Sequence, residues 1–195
     1  MPKPSHSFGG TPISAALLRR IRAHLRRGGV IAYATESCYG LGCDPRNCRA
    51  VWRLLALKER PQSKGLILIA DDMRRFASFL APPDPAQQTI LAQYWPGPNT
   101  LLLPTKPHVP RWLTGQHQRI ALRVTAHPDA ARLCHALGMA LVSTSANRSG
   151  QRPAKTFSAC RKTFGNSVLV IPGKIGRRKA PSTIMDFISG TIIRK

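Results

Sequence analysis

The chain has 195 residues, of which 43% are hydrophobic, enough for one globular domain with a sizeable core. Lys and Arg number 30 against 8 Asp and Glu, a formal net charge of +22 and a sequence pI near 11.4; that imbalance costs self-repulsion in the folded state and points to an anionic partner, nucleic acid first, or to a solubility effect. So few acids argue against a multi-carboxylate metal cage, and the 5 cysteines, odd in number and without a C-x-x-C pair, read as free thiols of a reducing compartment.

In chain order, residues 1–10 hold Lys, Pro, Ser and Gly without an apolar core. They read as a flexible tail rather than a secretory leader, ahead of a single domain over 11–195. No apolar run is long enough to span a membrane, so the expected location is the cytoplasm. Thr11-Pro12 reads as a helix cap followed by a first-turn proline. Ile13, Leu17, Ile21 and Leu25 then recur every four residues until Gly28-Gly29. Arg19, Arg20, Arg22, Arg26 and Arg27 lie off that stripe, as a solvated face or one that touches RNA. Residues 30–34 read as a strand running into a polar, glycine-bearing turn over 35–42. Neither a G-x-G-x-x-G nor a Walker A pattern occurs. Residues 48–58 read as a helix ended by Pro61, which leaves Lys58 and Arg60 as neighbouring cations ahead of an apolar strand over 66–70.

Asp71 and Asp72 open an expected helix through Phe76 and Phe79, and a proline-rich loop follows over 81–85. A further helix carries Ile90, Leu91 and Tyr94 and stops at Trp95-Pro96-Gly97-Pro98. Strands are expected over 99–103 and 119–124, joined by a loop over 104–118 that Trp112 anchors. Arg123 sits amid apolar neighbours, and a buried cation needs either a structural carboxylate or an anionic ligand. A helix over 128–138 leads to the apolar run Ala140-Leu141-Val142, which opens into Ser143-Thr144-Ser145-Ala146-Asn147. In an extended segment Ser143, Ser145 and Asn147 leave on one face, offering hydroxyls and an amide to a carboxylate, phosphate or carbonyl. The other reading is a turn that only ends the strand. A helix over 157–164 and strands over 168–171, 182–187 and 191–194 complete the chain. Between them, Gly173 and Gly176 with Lys174, Arg177, Arg178 and Lys179 suggest a mobile lid closing on phosphates, or an ordinary solvated loop.

Six segments in this order together resemble the YrdC family in its bacterial stand-alone form. They are residues 30–42, 57–61 with 64–69, Trp95-Pro96-Gly97-Pro98-Asn99-Thr100, Ala121-Leu122-Arg123-Val124, 143–150 and Pro181-Ser182-Thr183. Each is common alone; the ordered set is specific and covers nearly the whole chain from about residue 14. The resemblance implies a mixed α/β (α+β) fold, a twisted sheet of parallel and antiparallel strands with flanking helices and a basic concave cleft. It implies an enzyme that joins L-threonine, bicarbonate and ATP into threonylcarbamoyl-adenylate and pyrophosphate. Mg²⁺ arrives with ATP, and partner proteins carry the group to an adenosine beside the anticodon of tRNA.

The family's Lys-x-Arg and Ser-x-Asn signature, catalytic and ATP-binding, falls on Lys58, Arg60, Ser145 and Asn147. A further nucleotide contact falls on Arg194, and the threonine positions fall on Thr35, Arg123, Ser143 and Ser182. The sequence departs from the family at Ala34, usually Pro, at Cys38, and in the unusually basic run 173–179. Two other functions stay open on the sequence: a non-catalytic module binding double-stranded RNA or tRNA, motivated by the charge, and a carbamoyl-adenylate domain like that of hydrogenase-maturation carbamoyltransferases, which lacks its companion domains here.

Overall fold

A computed structural model describes residues 12–195. Their strands are β1 (Val30–Ala34), β2 (Tyr39–Gly42), β3 (Ile67–Ala70), β4 (Asn99–Pro104), β5 (Arg119–Val124), β6 (Leu141–Ser145), β7 (Val168–Val170), β8 (Thr183–Asp186) and β9 (Ile192–Arg194). All join one sheet, in the order β7-β1-β2-β6-β3-β5-β4-β8-β9. The pairs β1–β7, β3–β5 and β4–β8 are parallel and the rest antiparallel. The helices are α1 (Ala15–Arg26), α2 (Cys48–Lys58), α3 (Pro85–Tyr94), α4 (Arg111–Thr114), α5 (Pro128–Leu137) and α6 (Phe157–Phe164). The mixed α/β architecture is the one the sequence leads one to expect.

Strand alternation decides where the site can be. Val30, Ala32 and Ala34 of β1, Leu68 and Ala70 of β3, and Ile120, Leu122 and Val124 of β5 point into the larger core with Leu54, Leu91, Leu113 and Phe164 of the helices. The intervening residues point to the opposite face. There Ile31, Tyr33, Ile69 and Leu141 pack under Ile21 and Leu25 of α1 and Leu133 and Cys134 of α5. These two helices cover only part of that face. Gly40, Ile67, Ala121, Arg123, Ser143 and Ser145 emerge on the remainder and floor a cavity of about 580 Å³.

Several local expectations change. The cap of α1 is Ser14, whose hydroxyl accepts from the Leu17 amide at 3.2 Å; Thr11 and the expected tail over 1–10 lie outside the described residues. The helix expected from Asp71 is a single 3₁₀ turn, Met73–Phe76, capped by Asp72. The loop over 104–118 contains α4, and Trp112 does anchor it, donating from Nε1 to the Pro45 carbonyl at 3.2 Å.

The main correction is β2, expected as part of a turn. Its two glycines hide the strand pattern, yet each marks a close approach of neighbours. A Cβ on Gly42 would stand 2.6 Å from the Val142 carbonyl oxygen and 2.8 Å from Tyr33 Cε1. Gly42→Ala should therefore destabilise the protein by about 1–3 kcal/mol through overpacking, a fall in Tm of roughly 2–12 °C for a chain of this size. Thermal unfolding checks this; an unchanged Tm would show that β2 moves aside at no cost.

Candidate active site

Seven of the residues singled out in the sequence line the one cavity: Thr35, Arg60, Arg123, Ser143, Ser145, Ser182 and Arg194. They come from six separated segments, and the sheet order explains their meeting. The antiparallel pairing of β6 with β3, Ser143 beside Ile67, and the parallel pairing of β3 with β5, Ile69 beside Arg123, bring them onto one surface. Seven Lys and Arg side chains reach the wall, and no carboxylate does. The cavity is thus a concavity rich in cations, over a floor that mixes Gly40, Ile67 and Ala121 with Arg123, Ser143 and Ser145.

The hydroxyl groups are held by local bonds. Thr35 Oγ1 donates to the Cys38 carbonyl at 2.8 Å, closing the turn between β1 and β2. Ser182 Oγ accepts from Thr100 Oγ1 at 2.9 Å and from Arg194 Nη2 at 3.3 Å, so its own proton is free to point at a ligand. Arg194 also donates to the Ser182 carbonyl from Nε and Nη2, at 3.3 and 2.9 Å. Burial, followed by the charges of Arg123 and Arg60, lowers the Arg194 pKa below its ordinary value.

Lys58 and Asn147 do not reach the cavity wall. Lys58 is 5% exposed, and its ammonium donates to the carbonyls of Ser145 at 2.6 Å and Asn147 at 2.9 Å and to Asn147 Oδ1 at 3.3 Å. Burial, followed by the nearby charge of Arg60, holds its pKa down to about 8. Asn147 Oδ1 also accepts from Ser145 Oγ at 2.6 Å, while Asn147 Nδ2 donates to the carbonyls of Arg148 and Gln151. Lys58 and Asn147 therefore fold the end of β6 from behind and aim Ser145, whose committed proton leaves oxygen lone pairs outward. The alternation reading of Ser143, Ser145 and Asn147 holds for the two serines and stops at the turn.

Arg60 donates from Nη2 to the Gly65 carbonyl at 3.0 Å, and burial lowers its pKa. Its Nε, like that of Arg123, is buried with no partner among the described residues. An unpaired buried donor costs about 1–3 kcal/mol, so both guanidinium groups are incomplete. Arg123, 8% exposed, has a structural carboxylate, one of the two partners that the sequence argument allowed: its Nη2 donates to Glu36 Oε2 at 2.5 Å.

The segment singled out as a lid lies docked against the turn that follows β1. The Gly176 amide donates to the Thr35 carbonyl at 2.9 Å and the Arg178 amide to the Glu36 carbonyl at 3.1 Å. Tyr39 Oη donates to the Gly173 carbonyl at 2.8 Å. A Cβ on Gly176 would stand 2.7 Å from the Glu36 carbonyl oxygen, and one on Gly173 would stand 3.0 Å from Ala34 Cβ. These glycines allow close docking, and Ala34 is the residue Gly173 packs on. Arg177 does not line the cavity, whereas Lys179 does.

Sequence reasoning missed Glu36, Arg119, Lys64 and Lys155. Arg119 was legible, since strand alternation puts it on the face of Arg123. Asp186 pairs with it from β8. Glu36 gave one signal, as one of few acids beside a singled-out threonine.

Among the described residues no group of three or more His, Cys, Asp or Glu stands where it would hold a metal ion, and no helix is long and apolar enough to cross a membrane.

A family profile described as Telomere recombination, for the Sua5/YciO/YrdC domain, matches residues 23–195. The chain is similar to the threonylcarbamoyl-AMP synthase of Chromobacterium violaceum, 56% identical over 178 residues that cover 91% of this chain and 92% of that protein. It is similar to the threonylcarbamoyl-AMP synthase of Thiobacillus denitrificans, 53% identical over 174 residues, 89% of this chain and 93% of that one. Its fold is similar to P. abyssi Sua5 complexed with L-threonine, with a TM-score of 0.80 at 28% identity over 90% of this chain and 52% of that longer one.

Proposed function

The chain belongs to the Sua5/YciO/YrdC family, and on that premise we propose that it forms threonylcarbamoyl-adenylate and pyrophosphate from L-threonine, bicarbonate and ATP. The observation that carries this reading is the convergence of the hydroxyls of Thr35, Ser143, Ser145 and Ser182 and seven Lys or Arg side chains from separated segments on one cavity without a carboxylate in its wall. The amino group of threonine takes up bicarbonate as a carbamate, with loss of water. A carbamate oxygen then attacks the α-phosphorus of ATP, and the bond to the β-phosphate oxygen breaks to release pyrophosphate. Both reactants are anions, so the protein must screen charge and hold an in-line geometry without supplying a nucleophile.

In this reading Arg60 and Arg194 take phosphate oxygens as forks. Lys58 adds its charge from behind the β6 turn, and Ser145 presents its lone pairs to the water shell of the metal. Arg123 takes the threonine carboxylate, with Thr35, Ser143 and Ser182 around the amino acid. Mg²⁺ enters as a complex with ATP, since neutral oxygens and cations suit an ion held by phosphates and water. The product is handed to partner proteins that transfer it to tRNA.

The test is pyrophosphate release from ATP measured with and without threonine and bicarbonate. Release that requires both supports the reading, and release indifferent to threonine rejects it. A module without catalysis has no need of a cation-lined cavity above a packed floor.

The charge supports RNA as an additional ligand. Arg19, Arg20, Arg26 and Arg27 are exposed along α1, away from the cavity. We expect tRNA or duplex RNA to bind with an affinity that falls steeply with salt, as neutralised phosphates release counterions. Replacing those four arginines by glutamine should flatten the log–log salt slope by roughly 3–4 and leave pyrophosphate release unchanged. An unaltered slope would put the RNA surface elsewhere.

A further inference from the structure

Arg123 is the most buried of the cavity cations, and it stands where those cations repel one another. Among the described residues two of the seven, Arg119 and Arg123, have a carboxylate partner. The partner of Arg123 is unusual in how much it joins. Glu36 Oε2 accepts from Arg123 Nη2 at 2.5 Å and Oε1 accepts from Thr125 Oγ1 at 2.8 Å. Thr125 Oγ1 in turn accepts the His127 amide at 3.1 Å, at the start of α5. The main chain of Glu36 accepts the Arg178 amide, and that of Thr35 accepts the Gly176 amide, which docks the segment bringing Lys179 to the cavity.

We propose that Glu36 is the positioning residue of the amino-acid end of the cavity, clamping Arg123 through one carboxylate oxygen and the end of β5 through the other, so that the guanidinium meets the substrate carboxylate in one orientation. This deepens the proposed function and rests on it. Three features make Glu36 a clamp and not merely a neutralising charge. It uses one of the five N–H donors of the guanidinium, and the buried Nε–H stays without an acceptor. Both carboxylate oxygens already accept a donor, so the group has a fixed direction. And the second anchor, Thr125, follows Arg123 by two residues along the same strand line, so the carboxylate is referenced to the backbone that carries the guanidinium. Without it Arg123 would keep its charge but swing away from the other cavity cations.

Two measurements on Glu36→Gln test the clamp. Steady-state kinetics should give a threonine KM raised about tenfold or more, with kcat at saturating threonine within about threefold and the ATP KM unchanged, because a misdirected fork weakens binding of one substrate. Thr125→Val should shift the threonine KM the same way by less. An unchanged threonine KM, or equal rises for threonine and ATP, overturns the proposal. Independently of catalysis, the side-chain Nε–H of Arg123, assigned by its disappearance in Arg123→Lys, should give a protected NMR signal in the native protein and lose protection in Glu36→Gln. The same protection in both overturns the clamp. A native protein without threonine-dependent pyrophosphate release would instead defeat the proposed function, leaving this second measurement to decide the clamp.

Discussion

Lys58→Ala should lower threonine-dependent pyrophosphate release by roughly a hundredfold or more, the scale on which loss of one preorganised charge acts at a transition state. Two losses combine. The charge behind the β6 turn, where the proposed function places the phosphates, disappears, and the carbonyls of Ser145 and Asn147 and the Asn147 side-chain oxygen lose their shared donor. The β6 turn then no longer fixes Ser145. Each buried acceptor left unpaired costs about 1–3 kcal/mol, so Tm should also fall while the sheet survives. Pyrophosphate release close to native in this variant would remove Lys58 from the site.

The same residue gives a pH signature with opposite signs for activity and stability. Burial, with Arg60 nearby, holds Lys58 down to about 8 from an ordinary 10.5. The ammonium is present below about pH 8 and lost above it, so activity should decline through that point. Between the folded and unfolded values the unfolded chain binds the extra proton, so the contribution of Lys58 to stability rises with pH. An alkaline limb of activity without a matching drop in Tm separates loss of this charge from unfolding, and Lys58→Met should remove the limb from what activity remains.

Much of the site was legible because the chemistry sits on strands. Ser143 and Ser145, and Arg119 with Arg123, lie at alternate positions, and alternation is the one long-range geometric fact a strand carries in its sequence. The residues on the cavity wall share a face because the sheet brings β6, β3 and β5 side by side. That order is set by tertiary pairing, so the sequence alone offered it only through the ordered family resemblance. The depth of Lys58 was not legible either. A lysine after Leu57 and before Glu59 looks like an exposed helix end, and only the return of β6 behind it encloses the ammonium. The close docking of Gly173 and Gly176 was not legible for a related reason. A glycine serves flexibility and close approach equally well, and which applies depends on whether a backbone such as that of Glu36 lies within contact distance.

Arg123→Ala should raise the threonine KM by roughly 10–150-fold, the equivalent of about 1.5–3 kcal/mol for a hydrogen bond to a charged group, with a much smaller change in the ATP KM. Thr35→Val and Ser182→Ala should act in the same direction with smaller effects, since each removes a neutral hydroxyl. The arginine variant differs from these in what it leaves behind. Glu36 loses the cation that its Oε2 meets, and a half-buried carboxylate without its partner is destabilising where the intact pair was not. Tm should therefore fall more in Arg123→Ala than in either hydroxyl variant. Arg123→Lys distinguishes charge from geometry: it restores a cation for Glu36 and recovers most of the Tm, yet a point charge cannot hold a carboxylate at two N–H groups while a third meets Glu36. Its threonine KM should stay high. Calorimetric titration with threonine decides the assignment, because native affinity in both Arg123 variants would mean that the substrate carboxylate is bound by another of the cavity cations.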